Sequence, residues 1–406
     1  MTITNKVSLK SVMAGNTPIA DVPDAPTIGA VTDLGTGSSV SVAYTAATTG
    51  GTATTFTATS TPGSLTGTGT SPITVTGLTA GTAYTFKVKG TNATSVTGPE
   101  SAASSAVTPV APAGSVWTRR TSVLNMAAPS YNIAYGNGTY ATVAGLTAGN
   151  QSATSTNGVA WTVRTFVTSG YVNYSIQGMT FGGGKFVVMA EANGGSYNAW
   201  TSTDGVAWTG QTLGNFSWQG VAYGNGVYVS ATDASVRATR STDGITWTQN
   251  APLPADNWRN MGFGGGLFVT QAYNSATPST ACQTSTDGIT WTSRSLPSGG
   301  WGYSLAYGNS IWVAINLTGT AYITSTDTIT WTSRTFPATW GGGKGLTFGG
   351  TTFVAVNSGT ANAYTSTDGL TWTTRTLPAS GSWYQVGSDG ADHFVAIAGS
   401  TVATSP

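Results

Sequence analysis

The sequence predicts an all-β protein whose larger part is an array of repeated four-strand units. Three observations carry this. The octet Ser-Thr-Asp-Gly-Ile-Thr-Trp-Thr stands at 241–248 and again at 285–292, with close variants at 155–162, 202–209, 325–332 and 366–373. A second motif, an aromatic residue followed by Gly and a two-residue turn, accompanies every copy. Composition agrees: 55 of 406 residues are Gly and only 7% are charged, against about 25% in ordinary soluble domains.

Residues 1–23 fit no repeat. They read as an arm, either a frayed leader or a segment that attaches to a partner, since chain ends order only when docked. Lys6 and Lys10 precede no apolar run, so no secretory signal is expected. No stretch reaches membrane-spanning length, and membrane insertion is not expected. From Asp24 alternating strands begin, at Ser39–Tyr44, Thr54–Thr59, Ile73–Val75 and Tyr84–Lys89, with a last one near 106–109. Pro26, Leu78 with Tyr84 six residues on, the Tyr-Thr-Phe-Lys-Val run at 84–88, Asn92, and Ser-x-Ala-Val-Thr-Pro at 104–109 resemble a fibronectin type III domain. The resemblance covers 24–109 and implies a β-sandwich used as a spacer or adhesive module. It implies that the Tyr84 hydroxyl bonds backbone upstream. Tyr44 stands where that family usually has Trp. Residues 110–114 read as a short, stiff linker.

The repeats fill 115–406. Asp-Gly between short strand-like runs is a hairpin signal, with Gly supplying positive φ. Asn157 keeps that bonding, whereas Thr328 in place of Gly predicts a strained or different turn. The aromatic-Gly motif predicts a second hairpin, as at Tyr223-Gly224-Asn225-Gly226 with Tyr228. Each repeat therefore holds four short strands. Trp117, Trp161, Trp208, Trp247, Trp291, Trp331 and Trp372 recur at intervals of 39 to 47 residues. Such spacing describes the blades of a β-propeller, here seven. The chain stops where a last Trp strand is due, and 115–120 supplies it, so 115–120 is expected to pair with the C-terminal blade and close the ring. The motif resembles the Asp-box, or bacterial neuraminidase repeat, over about 290 residues. One residue is missing between Asp and Gly in each copy, so the likeness is to a relative of that repeat. It implies the fold and not the activity.

An enzyme of that family would need an Arg cluster, a Tyr nucleophile with a Glu partner, and an acid. Glu191 is the single Glu of the propeller, and Arg120, Arg164, Arg294, Arg334 and Arg375 repeat with the blades and cannot converge. Asp389 and Asp392 form the one close unrepeated pair, in a turn, and His393 beside them has no companion ligand. No catalytic residue, metal site or cofactor is expected. Cys282 reads as a buried small hydrophobe. Net charge is +1 with no basic face, which argues against nucleic acid. Recognition is expected instead. Tyr131, Tyr174, Trp218, Trp258, Trp301, Trp340 and Trp383 recur before the inner strands. Either they form a ring of aromatics on one face that binds a glycan or partner, or they pack between blades.

Domain order, low charge and the missing export signal resemble a bacteriophage virion protein, a tail or capsid-attached adhesin. Residues 1–23 would bind other virion proteins, and the propeller would meet a host-surface glycan or protein. The resemblance places it in the virion and leaves a homo-oligomer open. The alternatives are a free or bacterial-surface lectin-like adhesion module and, third, an Asp-box glycosidase.

Overall fold

The computed structural model describes residues 22–120, 124, 126, 132–144, 151–165, 176–191, 198–214, 216–233, 237–254, 256–273, 279–297, 301–316, 321–337, 340 and 345–405. The expected arm lies almost wholly outside these. Among the described residues every regular element is a strand. The chain divides into two compact units, Met1–Pro112 and Ala113–Pro406.

In the first unit, strands Thr27–Asp33, Ser39–Thr45 and Ile73–Thr76 form one sheet, and Thr66–Thr68, Ala53–Thr61 and Thr85–Asn92 another. Alternation drives this arrangement, because successive side chains of a strand point to opposite faces. Val40, Val42, Ile73, Val75, Phe86 and Val88 all turn inward and share one core with Leu78 and Tyr84. The Thr79 amide donates to the Tyr84 hydroxyl at 3.1 Å. Tyr44 packs on Phe56 with ring centroids 4.5 Å apart. The strand expected near 106–109 reduces to a single bridge between Val107 and Tyr84. The reason is local. The hydroxyls of Ser101 and Ser104 accept from the Val88 and Phe86 amides, both at 3.0 Å, and replace the carbonyls of a regular ladder.

The second unit contains seven four-stranded antiparallel sheets among the described residues. Six take their strands in chain order, as in the third sheet: Trp218–Gly224, Val227–Thr232, Arg237–Ser241 and Thr248–Pro252. The seventh joins Gln385–Ser388, Phe394–Ala398 and Thr401–Ser405 to Thr118–Arg120, with Val402 opposite Arg120 and Thr404 opposite Thr118. The first strand of each sheet adjoins the first strand of the next, and that of the seventh adjoins that of the first.

The aromatic-Gly motif explains how the sheets stack. Across each hairpin two aromatics face each other, as Tyr223 and Tyr228 do at 4.7 Å between centroids. The turn residues Asn225 and Gly226 both take positive φ, 47° and 76°, as a primed turn demands. The Gly of the motif is then where the next sheet's aromatic sits. A Cβ on Gly264 would lie 2.2 Å from Tyr307, and one on Gly136 2.1 Å from Phe181. The Asp-Gly glycine packs the same way, on the second strand of the preceding sheet: a Cβ on Gly288 would lie 2.4 Å from Val229.

Candidate recognition face

Antiparallel order puts the aromatic-Gly and Asp turns of every sheet at one end of the unit. The loops between second and third strands, and the connections between sheets, lie at the other. At the turn end chemistry repeats. The Ser285 hydroxyl accepts from the Gly288 amide at 2.8 Å, and Asp287 Oδ1 accepts from the Ile289 and Thr290 amides at 2.8 and 2.9 Å. The indole nitrogens of Trp161, Trp208 and Trp247 donate to the glycine carbonyl of their own turns at 2.9–3.0 Å. Asn157 Oδ1 accepts from the Val159 and Ala160 amides as the carboxylates do. Thr328 makes the same turn rather than a different one, and tolerates φ of 62°. That is the left-handed region, which is costly for a β-branched residue.

The Thr290 and Ile289 amides hold the Asp287 carboxyl below its usual range. At Asp204, Asp243 and Asp368 desolvation is the largest single influence and pushes upward, but the amide and serine bonds together outweigh it. These carboxylates therefore stay ionised and are occupied by their own turns. Asp389 Oδ1 accepts from the Ala391 amide at 2.8 Å, within its own turn. His393 Nδ1 meets the Tyr140 hydroxyl at 3.1 Å, a contact between sheets. Among the described residues no group of three or more His, Cys, Asp or Glu could hold a metal ion.

At the opposite end the chemistry changes from sheet to sheet. The residue five beyond the hairpin aromatic is Glu191, Asp233 or Tyr273 in sheets two, three and four. It faces the residue five before the turn glycine of the next sheet: Gln219, Arg259 or Tyr303. Ser217 links the first pair, its hydroxyl donating to Glu191 at 3.3 Å and accepting from Gln219 at 2.9 Å. Arg259 and Asp233 form an ion pair at 2.9 Å. Tyr273 and Tyr303 meet edge to face at 5.2 Å. Close by, the Arg237 guanidinium lies 4.6 Å over the Phe216 ring and donates to Gln249 at 2.9 Å. One geometric position thus carries an amide–acid, a cation–acid and an aromatic pair. Reading single motifs missed this series; aligning the repeats on the turn glycine would have found it.

The aromatic ring expected on this face needs correction. Trp218, Trp258, Trp340 and Trp383 are only 0, 0, 3 and 1% exposed. They are core residues and offer no ring to a ligand. Trp258 and Trp383 donate their indole nitrogens to the carbonyls of Pro254 and Ala379 at 3.0 Å. Trp340 donates to the Asn316 carbonyl and stacks on Phe336 at 4.5 Å. The physical reason is area: a Trp at a sheet interface buries more surface than any other side chain and needs one acceptor. Trp301 opens the strand Trp301–Gly308 opposite Asn316. Tyr131 and Tyr174 lie outside the described residues. Cys282 is buried, and burial pushes its thiol up to about 12.

No family model matches this chain, and no curated protein matches it. Among solved structures, a streptogramin B lyase is similar with TM-score 0.59 at 11% identity, over 71% of this chain and 97% of its own. A virginiamycin B lyase from Staphylococcus aureus is similar with TM-score 0.59 at 12% identity, over 71% of this chain and 99% of its own. YCF48 bound to D1 peptide gives TM-score 0.54 at 16% identity, over 72% of this chain and 97% of its own. These are β-propeller proteins. A likeness at such low identity shows the fold alone: the larger part of this chain is a β-propeller.

Proposed function

We propose that this chain is a non-enzymatic virion protein of a bacteriophage, a tail or capsid-attached adhesin. In this reading the repeats form a seven-bladed Asp-box-like propeller, and the first unit is a fibronectin type III-like spacer. Residues 1–23 hold it to other virion proteins, and the end of the propeller with changing chemistry meets the host surface. One observation carries the reading. The repeated acids are engaged in their own turns, while the unrepeated Glu191, Asp233, Arg237, Arg259, Tyr273 and Tyr303 gather at the other end. Such an end can vary its contacts without touching the fold, as loops on rigid scaffolds do.

The test is mass spectrometry of density-purified particles against particle-free supernatant from the source culture. Co-purification at fixed stoichiometry supports the reading. Presence in the free fraction alone removes it and leaves a free lectin-like module. Hydrolysis of a chromogenic sialoside, lost in Glu191→Gln, would make the chain a glycosidase.

A further inference from the structure

A cleft of about 660 Å³ opens between the third and fourth sheets of the propeller. Leu253 and Pro254, just beyond the last strand of the third sheet, form one wall. Ile289, Thr290 and Trp291, from the Asp turn of the fourth, form the other. Gln283 and Ser293 line it as well. Among the described residues no charged side chain lines it.

We propose that this cleft binds an uncharged sugar ring. Three features support this. The position of Gln283 is held by Ala153, Trp200, Thr239, Ile323, Tyr364 and Ala403 in the other sheets, so an amide is peculiar to this one. That amide is only 2% exposed and is paired with Ser293: its Nε2 donates to the hydroxyl at 3.0 Å, and the hydroxyl donates to its Oε1 at 3.4 Å. The exposed Ser293 hydroxyl is thereby held at the cleft, where its long bond to Oε1 can be exchanged for one to a ligand hydroxyl. Second, Trp291 Nε1 is buried with no hydrogen-bond partner, as Trp372 Nε1 is in the sixth sheet, whereas Trp117, Trp161, Trp208, Trp247 and Trp331 each donate to a turn carbonyl. A buried donor left unpaired is costly, and a ligand acceptor that reached it would relieve it. Third, the exposed Pro254 and Ile289 give the apolar surface that the C–H face of a pyranose covers. Polar groups that orient and apolar walls that desolvate are what small-ligand sites combine. The lack of charge among the described lining residues favours neutral sugars over sialic or uronic acids, whose carboxylates would be desolvated without a partner.

The inference does not need the chain to be a virion protein. It is tested by saturation-transfer NMR of the full chain with the methyl glycosides of glucose, galactose, mannose and N-acetylglucosamine, and with methyl glucuronide and methyl sialoside. Transfer to at least one neutral glycoside is expected, with little to the acids. Ser293→Tyr, at an exposed position on the outermost strand, fills the cleft, and Gln283→Met removes the fixed amide at nearly constant volume. Each is expected to weaken binding at least tenfold while the melting temperature stays near that of the parent. Leu370→Ser, at an exposed position in the Asp turn of the sixth sheet, is expected to leave it unchanged. Failure of every neutral glycoside to bind, or binding unaffected by Ser293→Tyr, would overturn the proposal. Loss in Leu370→Ser with Ser293→Tyr unaffected would overturn it too, and place the sugar at the sixth sheet.

Discussion

The two ends of the propeller unit are cut from the same strands and treated in opposite ways. At the turn end one solution recurs with small variations: serine and an acid or Asn157 satisfy the turn amides, most of the indoles donate to a turn carbonyl, and glycine lets the neighbouring sheet approach. At the other end one position holds Gln219, Arg259 and Tyr303 in successive sheets. Repetition where the fold is made, and variation where it is not, is the mark of a scaffold separated from its working surface. The difference teaches where a substitution will be read as stability and where as recognition.

Trp117→Ala should have the largest effect and breaks the turn end where it is assembled from both ends of the chain. Trp117 is buried and donates to the Gly114 carbonyl at 2.8 Å, as the other turns do, although its partner strand is Thr401–Ser405. A loss of about 3–5 kcal/mol is expected, by chemical denaturation. Gly264→Ala comes next. Its Cβ would strike the Tyr307 ring, so about 3 kcal/mol is expected. Gly266→Ala, two residues on, meets nothing and pays only for φ of 80°, about 1 kcal/mol. If the two glycines cost the same, the ring-on-glycine account of sheet stacking fails.

Asp287→Ala should cost about 1 kcal/mol, as loss of a side-chain cap does, and Asp287→Asn much less, because Asn157 already serves in the first sheet. The acids also set a pH dependence. Their folded pKa values are depressed, so their contribution is complete above the unfolded carboxylate value of about 4. It is lost as pH falls through the lower folded values. Melting temperature should therefore be flat near neutrality and drop below about pH 4. A flat profile to pH 2 would mean that the turn acids do not support the fold. The smallest effect on stability belongs to the other end. Asp233→Asn removes a partly exposed ion pair and should cost under about 1 kcal/mol. If the proposed adhesin reading holds, adsorption to host cells, measured alongside, should change more than the melting temperature does.

Much of the fold was legible from the residues because turns are local. Asp-Gly and Tyr-Gly-Asn-Gly dictate their own backbone angles, and the spacing of Trp fixes the length of a repeat. Four of the six strands of the first unit could be read from alternation; Thr27–Asp33 and Thr66–Thr68 could not, and the strand expected near 106–109 is only a bridge. The Thr328 turn was half legible: the expected strain is there as φ of 62°, but not that the turn keeps its common form, because the serine and acid bonds that hold it act on either side of the residue that changed. Nor were Ser101 and Ser104, whose hydroxyls displace a regular ladder.

The sequence by itself determined the repeat, the two turns in it and the need for 115–120 to complete a sheet, because each depends on residues near one another in the chain or on a count of strands. Only the tertiary structure decided which aromatics are covered and which side chains meet between sheets. Trp218 and Trp383 look the same in the sequence whether they face water or a neighbouring sheet; burial depends on what the adjacent sheet brings, and there the rings are closed in. Asp233 and Arg259 stand 26 residues apart, and only the packing of one sheet on the next sets them 2.9 Å from each other.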